Sequence, residues 1–511
     1  MRQAPGWADL YAWQVERDNG TPLFRQLYLQ IRAAILSLTL APGTRLPSTR
    51  SLASRLRVAR ASVVSAYEQL LAEGYLAGQV GSGTYISCDL PEALERRPVS
   101  LAPATAARRV RVPAPAVRLE RLAQSTGESE TRPFAMGRCR VDARTVEAWR
   151  RLTQRAMRAL GPAHLGYSDA RGLPELCRTL CDYLQAARAV RCEPDQIVVT
   201  AGTQQAVDLA IRVLLEPRDE AWVEDPGYPM TRAALLAAGV RARAVPVDDQ
   251  GLDVTAGCRT APRARVAFVT PSNHYPLGVV LSMSRRLELL AWARETGAWI
   301  VEDDFDSEFR YAGRPLASLQ GLDAGERVIY TGTFNKVLFP GLRIGFAVLP
   351  RPLLRAFVTA RYLTDRHPPS LSQAVAAEFM RQGQFTTHLR RMRQVYREQR
   401  DTLALELERR AGAEVTLDVP DHGMHVVAYL RHGRPDVAVE RAAAARGVVV
   451  RAISPLYTAT PARSGLLLGF TGFAPETIAP AVARLAESFG DVATARARPR
   501  PPRASRSSGG R

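Results

Sequence analysis

The chain has 511 residues, room for two or three domains with ample core, and its 46% apolar and 23% charged content fits a globular protein. No apolar run approaches the roughly 18 residues that span a bilayer, and the opening MRQAPGWADLYAWQ lacks the layout of a signal peptide. A net charge of +19 suits a polyanionic partner, and six cysteines without a CxxC pair read as reduced thiols of a cytoplasmic protein with no metal site.

Residues 1–88 form the first block. In PLFRQLYLQIRAAILSLTL, Leu23, Leu27, Ile31 and Ile35 recur at helical spacing. After a Pro-Gly break, TRLPSTRSLASRL predicts a short second helix with Ser48 at its N-cap. The four-residue turn RVAR leads into ASVVSAYEQLLAEG, a third helix with Val64, Tyr67 and Leu71 expected toward the core. YLAGQVGSGTYIS then predicts two short strands around Gly81 and Gly83. This order is that of a winged helix-turn-helix, which leads its second paired helix into the major groove by the N-terminus.

Arg45, Arg50, Arg57 and Arg60 cluster at the starts or flanks of the short helices, where guanidinium forks suit phosphate oxygens and guanine edges. Ser48, Ser62 and Thr84 offer hydroxyls to phosphate, and Ser65 and Gly81 complete the expected DNA-binding set. Helices alone would equally suit a small protein-interaction module. The residues go further: LPSTRSLASRLRVARASVVSAYEQLLAEGYLAGQVGSGTYIS closely resembles the DNA-binding domain of GntR-type regulators. The resemblance implies a double-stranded DNA operator as partner. Ala59 departs from it, standing where these domains usually carry a turn serine or threonine.

Residues 89–132 are rich in Pro, Ala and Arg with few large apolar residues, and are expected to be a flexible linker. Residues 491–511, RARPRPPRASRSSGGR among them, are expected to be a disordered basic tail.

Between them, residues 133–490 read as an α/β domain. QIVVT, EAWVED, RVAFVT, AWIVEDD, RVIYTG and IGFAVLP are short β-branched runs separated mostly by helical stretches, a pattern of a largely parallel sheet. Ligands of such sheets bind beyond the carboxyl ends of the strands. Polar motifs stand at those ends: AGTQQ, EDPGY, PSNHYPLG, EDDFD and TGTFNK. The last carries Lys336, the only lysine in a chain that otherwise uses arginine for positive charge. Arginine is not a nucleophile, whereas a desolvated lysine amine forms a Schiff base. Gly202, Thr203 and Gln204 open a helix whose free N–H groups make an anion site. Thr333 and Arg343 offer a hydroxyl and a fork to the same phosphate, the acids of EDD call for a cation such as a protonated ring nitrogen, and Tyr228 can stack on a flat ring. Together these features specify pyridoxal phosphate.

This block resembles fold-type I aminotransferases. The resemblance gives Lys336 the Schiff base, Thr333 and Arg343 the phosphate, and Asp303 the pyridine nitrogen. It also implies that Tyr167, in GYSDARGLPELC, reaches the phosphate of a neighbouring subunit, so that a homodimer shares its sites. Tyr275, in NHYPLG, stands beside the cofactor's 3-hydroxyl, where ordinary aminotransferases have asparagine. A GntR-type reader linked to such a domain is the layout of the MocR/GabR regulators, PdxR-like members included.

Departures bear on function. Aminotransferases hold a substrate carboxylate with an arginine where this chain has Leu467. Phe305 replaces a tyrosine, and Asn273 and His274 replace a His-Gln pair. Arg451 and Arg463 are the arginines left to substitute, and spacing does not choose between them. The expectation is a regulator sensing pyridoxal phosphate, or an amine or amino acid, with at most weak half-transamination. The alternative is a working aminotransferase with an appended reader.

Overall fold

The computed structural model describes residues 13–16, 20–37, 39–79, 83–88, 112–123, 131–161, 165–313, 316–324 and 326–492. The chain divides into two compact units between Arg111 and Val112.

In the first unit, α1 (Leu23–Leu36), α2 (Thr49–Leu56) and α3 (Arg60–Ala72) precede a hairpin of β1 (Leu76–Gln79) and β2 (Gly83–Ile86). Leu27, Ile31 and Ile35 are buried along one stripe of α1, against Leu52, Tyr67, Leu70 and Ile86. Truncating a buried aliphatic such as Ile31 to alanine would cost about 2–5 kcal/mol. Ser48 caps α2 by accepting from the Ser51 amide at 3.1 Å, and Arg57, left-handed at φ 52°, ends it. Arg60 already belongs to α3, so the turn is one residue shorter than expected. The buried face of α3 is Val63, Ala66, Tyr67 and Leu70, not Val64 and Leu71, because the helix turns its small Ala66 toward α1 and the hairpin.

The expectation of a linker across all of 89–132 is corrected by α4 (Ala114–Ala123). APAVRLERLA is poor in bulk but rich in strong helix formers, and propensity with one docked flank is enough for a short helix. The remainder of that stretch, 89–111 and 124–130, and the tail from 493 lie outside the described residues.

The second unit continues with α5 (Ala143–Arg158), α6 (Pro174–Arg188), β3 (Ile197–Thr200), α7 (Thr203–Leu214), β4 (Glu220–Asp225), α8 (Pro229–Ala237), β5 (Arg241–Asp248), β6 (Gly251–Leu252), α9 (Val254–Thr260), β7 (Val266–Val269), α10 (Met283–Thr296), β8 (Trp299–Asp304), α11 (Leu319–Leu322), β9 (Val328–Thr333) and β10 (Gly345–Val348). The strands form one sheet in the order β3-β10-β9-β8-β7-β4-β5-β6, and α4 lies against α8. All six expected runs are strands of this sheet, and only β10 and the short β6 run against the rest. The strand β5 went unread, since RARAVPVD alternates arginine with small apolar residues at a half-exposed position.

A second layer follows α12 (Arg351–Asp365), α13 (Ser370–Arg381) and the long α14 (Gln384–Ala411). It comprises β11 (Val415–Asp418), β12 (His425–Leu430), α15 (Asp436–Ala445), β13 (Arg451–Ala452), β14 (Gly465–Gly469) and α16 (Ile478–Gly490). Its four strands are antiparallel in the order β11-β12-β14-β13.

Candidate functional site

Sheet register assembles a phosphate cup from distant segments. Gly345 at the start of β10 pairs with Thr200 on one side and Thr333 on the other, so the carboxyl ends of β3 and β9 meet there. Gly345 is needed, because a Cβ on it would lie 2.5 Å from the Gly202 Cα. Gly202 itself sits at φ 135°, and a Cβ there would be 2.7 Å from Asn335 Nδ2, 3.7 Å from Arg343 Nη2 and 3.8 Å from Thr333 Oγ1. The space a side chain would fill is thus ringed by hydrogen-bond donors. Gly202 holds the N-cap position of α7 with no side-chain cap, so the amides of Thr203 and Gln204 open the helix toward it. The Gln204 side chain instead donates to the Met230 carbonyl at 3.5 Å. Arg343 stands exposed at the rim in a left-handed conformation, φ 53°. Asn335 was not singled out, although it stands within the quoted TGTFNK.

The acid run sorts by strand alternation. Glu302 and Asp304 share one face of β8. There Glu302 accepts from the Leu319 and Gln320 amides at 2.9 Å each, while Asp304 pairs with Arg188 at 2.9 Å and accepts from Tyr330. The cation that answers Asp304 is therefore Arg188, which sequence reasoning missed because it lies on α6, far upstream. Asp303 alone faces the cup. It lies beside the hydroxyls of Thr203 and Thr331, yet its Oδ1 is buried with no hydrogen-bond partner. Burial, then the charge of Asp304, raises its carboxyl to about 7. Close by, Glu224 accepts from Thr270 through amide and hydroxyl, at 3.0 and 2.7 Å, and burial raises it to about 7 as well. Buried His274 is driven down to about 3 and so is neutral.

Tyr228, at the N-cap position of α8, meets Tyr275 edge to face at 5.4 Å. Lys336 Nζ lies 3.5 Å from the Gly137 carbonyl oxygen. Gly137 belongs to a strap, residues 133–139, that the sequence did not mark. The Pro133 carbonyl accepts from Val449, the Phe134 carbonyl from Gly469, and the Cys139 thiol donates to the Lys336 carbonyl at 2.9 Å. A Cβ on Gly137 would lie 2.2 Å from Lys336 Nζ. The orphaned Asp303 oxygen, the cradle at Gly202 and the sole lysine fit pyridoxal phosphate: ring nitrogen, phosphate and carbonyl carbon each have an answering group.

The far side of the cleft is apolar. Leu467 is fully buried with Tyr275, Val427, Ile453 and Leu456, and Met136 and Phe305 pack against them. Asn273 spends its amide on both oxygens of Asp306, at 2.9 and 2.8 Å. Arg463 lies over the Tyr429 ring at 3.7 Å, while Arg451 pairs across the strands with Leu467. Tyr167 is not part of this assembly. It is 80% exposed, and its ring contacts are Arg366 and His367.

On the first unit, Arg45, Arg50, Arg57, Arg60 and Ser65 are exposed, and Ser62 and Thr84 are half-buried. Arg45 bridges to Tyr85 and lies against Gly83 of the wing, and Arg60 reaches Thr49 at 3.5 Å. Ser48 keeps its oxygen as the α2 cap, and Ala59 leaves the start of α3 without a side-chain cap. Gly81 lies outside the described residues.

Residues 133–485 match the family Aminotransferase class I and II, and residues 23–86 match Bacterial regulatory proteins, gntR family. The chain is 38% identical to the probable rhizopine catabolism regulatory protein MocR of Rhizobium meliloti, over 93% of this chain and 95% of that one. It is 34% identical to the HTH-type pyridoxine biosynthesis transcriptional regulator PdxR of Corynebacterium glutamicum, over 92% and 96%. A solved structure of LysN, the α-aminoadipate aminotransferase of Thermus thermophilus complexed with N-(5'-phosphopyridoxyl)-L-leucine, aligns with a TM-score of 0.66. It is 29% identical and covers 74% of this chain and 97% of that one.

Proposed function

Since the chain belongs to the gntR-family regulators of the MocR type, with an aminotransferase class I and II domain behind the DNA reader, we propose that occupancy of its pyridoxal phosphate site sets its affinity for a DNA operator. One pairing supports this reading most: exposed arginines at the helix-turn-helix share a chain with a cup whose buried Asp303 oxygen awaits a partner.

Bound there, pyridoxal phosphate supplies a carbonyl reactive toward amines and an electron-withdrawing ring. Lys336 would hold the carbonyl carbon. Thr333, Arg343 and the first amides of α7 would hold the phosphate, and Tyr228 would cover the ring. Asp303, raised to about 7 by burial, stays ionised once it faces a cationic ring nitrogen. Sustained transamination is not part of the reading, because buried Leu467 stands where the resemblance places the substrate's arginine. The occupant that matters is the cofactor itself, as in a vitamin B6 sensor, or the cofactor together with a small amine. A cytoplasmic homodimer, with Tyr167 lent to the partner's phosphate, would present two readers to two half-sites.

The test is operator affinity of cofactor-free and cofactor-loaded protein. Loading should change it by about 5–150-fold, the usual range of coupling between sites. Equal affinities, with steady turnover of an amino acid and a keto acid, would favour the aminotransferase alternative instead.

A further inference from the structure

Glu224 and Asp225 are neighbours at the carboxyl end of β4, and their side chains leave the strand in opposite directions. Glu224 turns to Thr270 beside the cup. Asp225 turns to the second layer, to three residues of the loop between β13 and β14. Its Oδ1 accepts from the Thr458 amide at 2.7 Å and the Thr458 hydroxyl at 2.9 Å. Its Oδ2 accepts from the amides of Ala459 and Thr460, at 3.0 and 2.7 Å, and from the Thr460 hydroxyl at 2.8 Å. Asp225 is 1% exposed, and among the described residues no cation lies within ion-pairing distance of it. Burial opposes its charge, but these donors outweigh burial and hold the carboxyl below its ordinary range, whereas Glu224 is raised to about 7.

Apolar burial does little for this loop, since Thr458, Ala459, Pro461, Ala462 and Arg463 are exposed. Its hold is the carboxylate, with Arg463 resting on the Tyr429 ring further on. Just upstream, Leu456 and Tyr457 pack into the apolar cluster of Leu467 and Tyr275 that walls the cleft. On the β4 side the chain turns tightly after Asp225, since a Cβ on Gly227 would lie 2.2 Å from the Glu224 carbonyl oxygen. That turn delivers Tyr228, whose ring meets Tyr275. One carboxylate therefore ties the turn that presents Tyr228 to the loop that continues the opposite wall. Hydrogen bonds suit such a tie, because water replaces them at modest net cost while separating apolar surfaces is resisted throughout.

We propose that Asp225 is a positioning residue, a latch across the cleft that fixes the loop 458–460 and the Leu456–Tyr457 wall against the Tyr228 turn, and that opens when pyridoxal phosphate enters or leaves. This rests on the reading of the cleft as a pyridoxal phosphate site. Asparagine has the same shape, but its NH2 group would face donors where a carboxylate oxygen now accepts. Asp225→Asn therefore weakens the latch without emptying any space.

Hydrogen exchange is followed across residues 457–462 in the full-length, cofactor-free protein. Release of pyridoxal phosphate from the loaded protein is timed by the visible band that stays with the chain during dialysis. The amides of Thr458, Ala459 and Thr460 should be protected in the wild-type chain. In Asp225→Asn they should exchange about tenfold or more faster, as the loss of charge-assisted hydrogen bonds implies. Release should quicken about fivefold or more in the same variant, with Lys336 still taking the borohydride label. Thr458→Val combined with Thr460→Val removes two hydroxyl donors and keeps the three amides, so it should move both readings the same way by less. Should Asp225→Asn not fold, that double variant decides by the same two readings. Amides that exchange freely in the wild-type chain overturn the proposal. So does an Asp225→Asn protein that melts lower yet releases the cofactor at the wild-type rate, which is the behaviour of a purely structural tie. A wild-type chain that takes up no cofactor, while exchange at 458–460 still depends on Asp225, removes the cofactor reading and leaves the latch no such ligand to guard.

Discussion

Both units of this chain carry arginines that the proposed function sets against phosphate, but they are built in opposite ways. Around α2 and α3, Arg50, Arg57 and Arg60 are long, exposed side chains on a helical surface. In the cup, the ring of donors is mostly backbone and short, buried side chains, Gly202, Thr333 and Asn335, with Arg343 alone at the rim. The first arrangement works by net charge, which suits a polyanion read in many registers. The second works by preorganised geometry, which suits one phosphate on one small molecule. A regulator needs both kinds, because the surface that searches DNA should be adjustable and the site that senses should not.

The sharpest break in the comparison is Lys336→Ala. Borohydride should fix the cofactor to the wild-type chain and to none of the variant; covalent label surviving in the variant would remove Lys336 from the site. Next comes salt. Operator affinity should fall at least roughly 10³-fold between about 50 and 200 mM salt, as for about six or more phosphate contacts, with cofactor affinity moving far less. Parallel salt slopes for the two ligands would erase the distinction. A smaller effect is expected for Arg60→Ala, which should weaken operator binding by about 1–3 kcal/mol in a gel-shift or fluorescence titration and leave cofactor uptake as it was.

Smallest is a pH effect confined to the effector. Asp303, Glu224 and Glu302 are each raised to about 7 by burial. A carboxyl raised on folding binds its proton more tightly in the folded chain. The stability it brings is full below the ordinary carboxylate range and is lost as pH rises through about 7. Cofactor-free protein should therefore melt a few degrees lower at about pH 8 than at about pH 6. Asp303→Asn should shrink that drop, and so should the cofactor, which keeps Asp303 ionised. A melting temperature that rises across this window would mean these acids are already charged.

Much of the molecule was legible because its signals are local. The helical stripe of α1, the Ser48 cap and the six strand runs each lie within a few residues of sequence, and each formed as read. The face of α3 was misjudged by one position, since Val63 and Val64 are equally apolar and only packing chooses between them. What stayed hidden are encounters across long separations. Gly137 meets Lys336 and Arg188 meets Asp304 across 199 and 116 residues, and no periodicity announces such pairs. Arg451 was visible as an option, but only the β13–β14 register put it opposite Leu467. The linker reading failed at α4 because low bulk was taken as low order, whereas alanine, leucine, glutamate and arginine are strong helix formers.

The strap has a mechanical meaning. Its carbonyls are bonded to Val449 and Gly469 in the second layer, and its glycine meets the Lys336 amine, so it is stitched to both walls of the cleft at once. Its upstream end is the same polypeptide that runs back through α4 to the helix-turn-helix. Anything that enlarges or fills the space at Lys336 meets this ribbon at Gly137, where even a methyl group would collide with the amine.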